Sequence, residues 1–64
     1  MDDIEKTVIL EMAKCDMNCN HAAEHMYRSR SGVQYYIKKI KSETGLDCRR
    51  FYGLIELLKM IDGE

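Results

Sequence analysis

Four residues in the first half of the chain have the types and spacing of metal ligands. Cys15, Cys19, His21 and His25 read C-x3-C-x-H-x3-H, and thiolate sulfur with imidazole nitrogen is a donor set that tetrahedral zinc accepts. His21 and His25 stand at i, i+4, on one face of a helix. Cys19, however, recurs with Ala22, Ala23 and Met26 at i, i+3, i+4, i+7, which assigns it to a buried strip. That strip lies roughly 100° or more around the helical wheel from His21. A cysteine turned into a core does not share a coordination sphere with a histidine turned out of it. Ordinary cysteine packing is therefore expected, with surface histidines, no metal and no cofactor. Catalytic chemistry has weaker support. Cysteine, histidine and aspartate all occur, but a chain this short leaves little room for a concave, water-excluding pocket. No glycine-rich phosphate loop is present, and the expectation is a protein that is not an enzyme.

Recognition chemistry is better represented. The net charge is −1, but the charges are segregated along the sequence. From Met1 to Tyr27 there are two basic and six acidic residues, and from Arg28 to Arg50 seven basic against two acidic. The remaining stretch, Phe51 to Glu64, has one basic and three acidic residues. A local basic patch is the electrostatic footprint of a polyanion partner even on a slightly acidic protein. Alone, a run such as Lys38, Lys39 and Lys41 reads as a solvated helix face. Tyr35 lies among these cations and points away from the predicted core, where a phenol can donate to phosphate or lie against a sugar, or can stand as a plain surface aromatic.

The elements that must position these residues follow from periodicity. A first helix is predicted over residues 3 to 14, with Asp2 and Asp3 at its positive end. Its inner face is Ile9, Met12 and Ala13 with Val8 beside them, and Leu10 lies well outside it. Cys15 to Met17 is a connection, and Asn18 caps a second helix running roughly from Cys19 to Met26. The alanine pair in its strip admits a neighbouring helix at close range. Tyr27 to Arg30 is a polar turn. A third helix begins between Ser29 and Ser31, buries Val33, Ile37 and Ile40, flanks the core with Tyr36, and turns Tyr35, Lys38, Lys39 and Ser42 the other way. It stops at Gly45 in a Schellman-type turn, with Leu46 folding back on Ile40 or Lys41. Asp47 is expected to cap a fourth helix running to about Ile61. Its predicted core face is Phe51, Leu54, Ile55, Leu58 and Ile61, with Leu57 and Met60 as a spare apolar stripe. Gly53 falls on the far face, where glycine costs ~1 kcal/mol relative to alanine.

A short helix, a three- or four-residue turn and a second helix with one apolar and one basic face is the arithmetic of a helix-turn-helix. The ordered set Asn18, Ala22-Ala23, Met26, Arg30-Ser31, Val33, Tyr35, Ile37 and Ile40 resembles the helix-turn-helix that ends PucR- and CdaR-type bacterial regulators, and more distantly the Fis-type domain. Thr44-Gly45-Leu46-Asp47 and Phe51-Tyr52 followed by Leu54, Leu57 and Leu58 match the PucR-type ending. The resemblance covers about Val8 to Ile61. Three positions depart from the pattern: Tyr27 stands where many such turns have glycine, Arg28 where an aliphatic residue plugs the core, and Gly32 where relatives carry threonine. Arg28 is expected to lay its stem on the core and turn its guanidinium outward.

The length allows one domain, residues 1–64. The resemblance implies that it is all-α, a small bundle of about four helices containing a helix-turn-helix that binds double-stranded DNA in bacterial or phage transcription control. It places Ser29, Arg30, Gly32, Gln34, Tyr35, Lys38 and Lys39 at contact positions. Arg30 and Gln34 suit base edges, because guanidinium and amide groups bond them in pairs, and Lys38, Lys39 and Ser29 suit phosphates. One reading helix covers a half-site, so a homodimer through the fourth helix is expected, with Leu57, Met60 and Leu10 as its surface. The rival is a helical protein-interaction module that keeps the fold without DNA. Three cysteines with no secretory leader point to a reducing, cytoplasmic setting. No apolar run approaches the ~20 residues that cross a bilayer, so no membrane partner is expected.

Overall fold

The computed structural model describes residues 1–63, and among them the chain is an all-α bundle of four helices: α1 (Asp3–Lys14), α2 (Cys19–His25), α3 (Arg30–Thr44) and α4 (Phe51–Asp62). Each of the first three starts where a short polar side chain takes up its free N–H groups. Asp2 accepts from the Glu5 amide, and Glu5 reaches back to the Asp2 amide, a reciprocal capping box. Asn18 Oδ1 accepts from both Asn20 and His21. Ser29 Oγ accepts from Gly32 at 3.1 Å, so α3 starts at Arg30.

The helices bury one continuous core. Val8, Ile9 and Met12 of α1, Ala22 and Ala23 of α2, Val33, Ile37 and Ile40 of α3, and Leu54 and Leu57 of α4 meet there with Cys15 and Cys48. α1 is the hub: α2, α3 and α4 each pack on it, and α2 also packs on α3. The alanine pair is what brings α2 in, since both residues are buried and neither holds a neighbour off. No helix among the described residues is long and apolar enough to cross a membrane.

The connections carry the backbone's unusual conformations. Between α1 and α2, Asp16 and Met17 have φ of 54° and 64°, and between α2 and α3 Tyr27 has φ of 54°. Tyr27 thus adopts the left-handed conformation that glycine takes easily, and its side chain is 97% exposed. α3 ends at Gly45, φ 78°, whose N–H donates to the Lys41 carbonyl. The Leu46 N–H donates to Thr44 Oγ1 instead of to the helix backbone, so the stop is the simpler left-handed type and not a Schellman turn.

The end of the chain departs most from the sequence expectation. Asp47 does not cap α4. It is buried, and its carboxylate accepts from the Arg49 amide and guanidinium, while Arg50 occupies the cap position and makes no side-chain capping hydrogen bond among the described residues. The buried residues of α4 are Gly53, Leu54 and Leu57. Phe51 is 69% exposed, and Ile55, Leu58 and Ile61 are half-buried. Gly53 is the cause. A Cβ there would lie 2.5 Å from the Asp47 carbonyl oxygen and 2.9 Å from its nitrogen. The preceding turn therefore rests on the bare glycine face, and α4 is rotated so that this face, with Leu57, points inward. Gly53 is a packing residue, and Leu57 is not available as a spare stripe.

Candidate functional site

The capping of α3 by Ser29 sets the register of every residue expected to meet a partner. Val33, Ile37 and Ile40 are fully buried, which turns Ser31, Tyr35, Lys38 and Ser42 to solvent on the opposite side. Gln34 lies at one edge of this face, half-buried, and Gly32 and Lys39 at the other, also half-buried. Ser29 and Arg30 are exposed at the helix start. The seven expected contact residues therefore lie along the solvent side of α3 and its first turn, but they are not equivalent.

Lys38 is exposed and makes no ion pair among the described residues. Lys39 is tied to α1: its Nζ lies 3.5 Å from Asp2 Oδ2 and 3.7 Å from Glu5 Oε1. Burial pulls the Lys39 pKa down, but the Asp2 and Glu5 carboxylates outweigh it and raise the value above the ordinary one. Asp2 shifts the opposite way, lowered first by the Glu5 amide bonded to it and then by Lys39. Glu5 is 2% exposed, and its second oxygen has no hydrogen-bond partner among the described residues. Lys39 is thus a buried carboxylate's cation as well as an edge residue of the α3 face. Helical periodicity alone gave no sign of this, because the partner charges lie on another helix. Glu5 at an inward position of α1 was the available signal.

The start of α3 concentrates positive charge. Arg28 and Arg30 flank the Ser29 cap, and the first turn of α3 contains no acidic residue. Both cations sit at the positive end of the helix dipole, where side-chain carboxylates are normally favoured. Ser29 Oγ uses a lone pair for the Gly32 amide, which leaves its hydroxyl proton free to donate outward. Arg28 does not plug the core. It is exposed, with its guanidinium 5.6 Å from the centre of the Tyr36 ring, and Tyr36 meets Tyr35 edge to face at 5.2 Å. This stack supports Tyr35, which is 62% exposed. At the far end of α3, Lys41 reaches Asp47 at 4.0 Å and Arg49 pairs with the same carboxylate. The Arg49 hydrogen bonds hold the Asp47 pKa below its ordinary value. Arg28, Arg30, Lys38 and Arg50 are left without a carboxylate partner among the described residues.

The cysteine and histidine constellation is rearranged. Cys19 is half-buried against the core and His21 is exposed, as their spacing predicts. Cys15 and His25 come together without them. Cys15 Sγ lies 3.8 Å from His25 Nδ1, which is itself 3.2 Å from Glu11 Oε2. Burial first, and then the Glu11 and Asp16 carboxylates, raise the Cys15 thiol pKa. A groove of about 310 Å³, lined by Asp3, Ile4, Thr7, Glu11, His25, Met26 and Arg28, opens beside the cluster. Glu11 was absent from the cysteine–histidine motif because its link to His25 depends on how α2 packs. Its i, i+4 relation to Cys15, across the last turn of α1 and its C-cap, was legible. Compared with known protein families, curated proteins and solved structures, the chain matches none.

Proposed function

We propose that the chain is a DNA-binding domain of the helix-turn-helix kind, a reader of sequence in bacterial or phage transcription control, and not an enzyme. The observation that carries this reading is the start of α3. Arg28 and Arg30 stand without a carboxylate partner among the described residues around a serine-capped helix N-terminus with no acid in its first turn. Cations placed against a helix dipole weaken the free protein slightly, and a phosphate backbone laid across that end reverses the sign. Arg30 and Gln34 read base edges, Ser29, Lys38 and Arg28 hold phosphates, Tyr35 lies in the groove, and Gly32 lets the backbone approach. Lys39 contributes mainly by fixing α3 on α1. The expected second copy is retained in this reading, but α4 offers Met60, Phe51 and Tyr52 to it, and Leu57 is withdrawn.

The test is affinity for short duplexes as a function of salt. Two to four phosphate contacts per protomer give a slope of log K against log[salt] of about −2 to −3.5, from −0.9 per phosphate. Lys38→Gln lowers affinity similarly on every sequence and flattens the slope by about one. Arg30→Gln costs ~1–3 kcal/mol, mainly on a preferred site. Lys39→Gln lowers the melting temperature, because it removes the cation facing buried Glu5, whereas Lys38→Gln does not. If neither Arg30→Gln nor Lys38→Gln changes binding, α3 is not a reading helix and the protein-interaction reading takes its place.

A further inference from the structure

The cluster at the α1–α2 junction lies outside the α3 face to which DNA contact is assigned above, and its geometry has its own consequence. Glu11 and Cys15 stand one turn apart on the same side of α1 and its C-cap, and His25 closes on them from the last turn of α2. One donor atom from each lies within 4.8 Å of the other two. A tetrahedral zinc ion with metal–sulfur and metal–nitrogen bonds of ordinary length sets its sulfur and nitrogen ligands about 3.5 Å apart and its nitrogen and oxygen ligands about 3.3 Å apart. The observed separations are 3.8 Å for Cys15 Sγ to His25 Nδ1 and 3.2 Å for His25 Nδ1 to Glu11 Oε2. Side-chain rotation that brings Cys15 Sγ and the Glu11 oxygen, within 4.8 Å of each other, to the ~3.6 Å of a tetrahedral pair completes the three-ligand geometry.

We propose that Glu11, Cys15 and His25 form a three-ligand site for a divalent transition metal of the zinc class, with the fourth position open to the groove beside Glu11 and His25. The donor set is chemically consistent. A thiolate and a carboxylate balance a dication, so the half-buried centre is neutral, and imidazole supplies the borderline-soft third donor. On binding, the Cys15 thiol gives its proton to solvent and the Lys14 ammonium, 3.8 Å from Glu11 Oε1, stays on the carboxylate oxygen that His25 does not contact. Three protein ligands and one open position distinguish this arrangement from a closed four-ligand structural site. The open position gives the metal a place for water or for an anionic group of a partner. The backbone explains how the ligands converge. Asp16 and Met17, both left-handed, reverse the chain tightly after Cys15, and the Asn18 cap fixes where α2 starts. His25, in the last turn of α2, is thereby brought over Glu11 and Cys15, whereas His21, one turn earlier, is not part of the cluster.

The experiment is titration of untagged, metal-free protein with Co(II), followed by competition with Zn(II). The site predicts one equivalent of Co(II) with a sulfur-to-cobalt charge-transfer band in the near ultraviolet and visible bands of four-coordinate intensity, displaced by one equivalent of Zn(II). His25→Gln, at an exposed position, abolishes both features, and Glu11→Gln weakens binding by more than the ~10- to 100-fold that loss of a supporting group costs. His21→Gln, on the same helix, leaves the titration unchanged. Cys15→Ser removes the charge-transfer band, with circular dichroism reporting separately whether the helices remain. Absence of the sulfur band in the wild-type protein, or its loss on His21→Gln in place of His25→Gln, overturns the proposal. The cluster is then a carboxylate–imidazole hydrogen bond beside a buried thiol.

Discussion

Gly53 gives the sharpest test at the scale of a single residue, because the two readings of it predict opposite signs. As a surface glycine inside a helix, its replacement by alanine adds stability of up to ~1 kcal/mol. Against the Asp47 backbone, the new methyl would lie 2.5 Å from a carbonyl oxygen and 2.9 Å from a nitrogen, and neither atom is the free end of a side chain. Gly53→Ala should therefore destabilise the protein by ~1–3 kcal/mol, as overpacking does, and lower the melting temperature measured by circular dichroism. A rise would mean that the Asp47–Arg50 turn does not rest on α4. The miss has a physical origin. A helical wheel places glycine by what its neighbours do, and a residue with no side chain contributes no hydrophobic signal of its own even when it faces another chain segment.

At the scale of elements, the first three helices were legible because each has a polar residue at its start and a strong apolar period, and α3 has a clear stop at Gly45. Asn18 and Gly45 gave two of those signals directly, and Ser29 resolved a two-residue ambiguity once its bond to Gly32 was visible. α4 was legible as a helix but not in its rotation. Its sequence is apolar over so much of its circumference that two neighbouring faces fit equally, and the choice is made by contact with α1 and the Asp47 turn. Leu57 tests the rotation. It is fully buried, so Leu57→Glu should unfold the protein or cost ~3 kcal/mol or more, as a charge placed in a core does. A surface position would instead leave helix content intact and change only self-association in sedimentation. The site itself was legible in part. Sequence periodicity put Tyr35 and Lys38 on one exposed face, but the links of Lys39 to α1 and of Glu11 to His25 join residues on different helices, and no local pattern encodes them.

For the whole molecule, the balance is narrow. The folded chain exposes 4185 Å² against roughly 10,900 Å² for an unfolded chain of this mass, so about 60% of its surface is buried, the range in which small domains are marginal. Electrostatic links between elements therefore matter more than they would in a larger protein. Asp2, with Lys39, joins α1 to α3, and Asp47 joins the end of α3 to the start of α4 through Lys41 and Arg49. Both carboxyl pKa values are lowered in the fold from their ordinary 3.8. A lowered value means that the unfolded chain takes up protons first as pH falls. The stabilisation is complete above the unfolded value and is lost as pH drops through the folded one. The melting temperature should accordingly hold steady from neutral pH to about pH 5 and then fall below about pH 4. Asp47→Asn should make that acid-side fall shallower. An unchanged profile would show that the Asp47 contacts with Arg49 and Lys41 do not persist in solution.

The two left-handed connections described above bracket α2, and this predicts where the native structure opens first. α2 has seven residues, fewer than the ~12–15 an isolated helix needs to hold together in water. Its fully buried contribution is two alanines, and it is entered through Asp16 and Met17 and left through Tyr27, all at positive φ. Such residues cost ~1–3 kcal/mol each, and unfolding this one segment releases that energy at both ends at once. The amides of Ala22 to Met26 should therefore exchange with deuterium by a sub-global opening well before those of Ile37 and Ile40, whose protection should follow complete unfolding. Tyr27→Gly should slow exchange in α2 selectively by relieving one hinge.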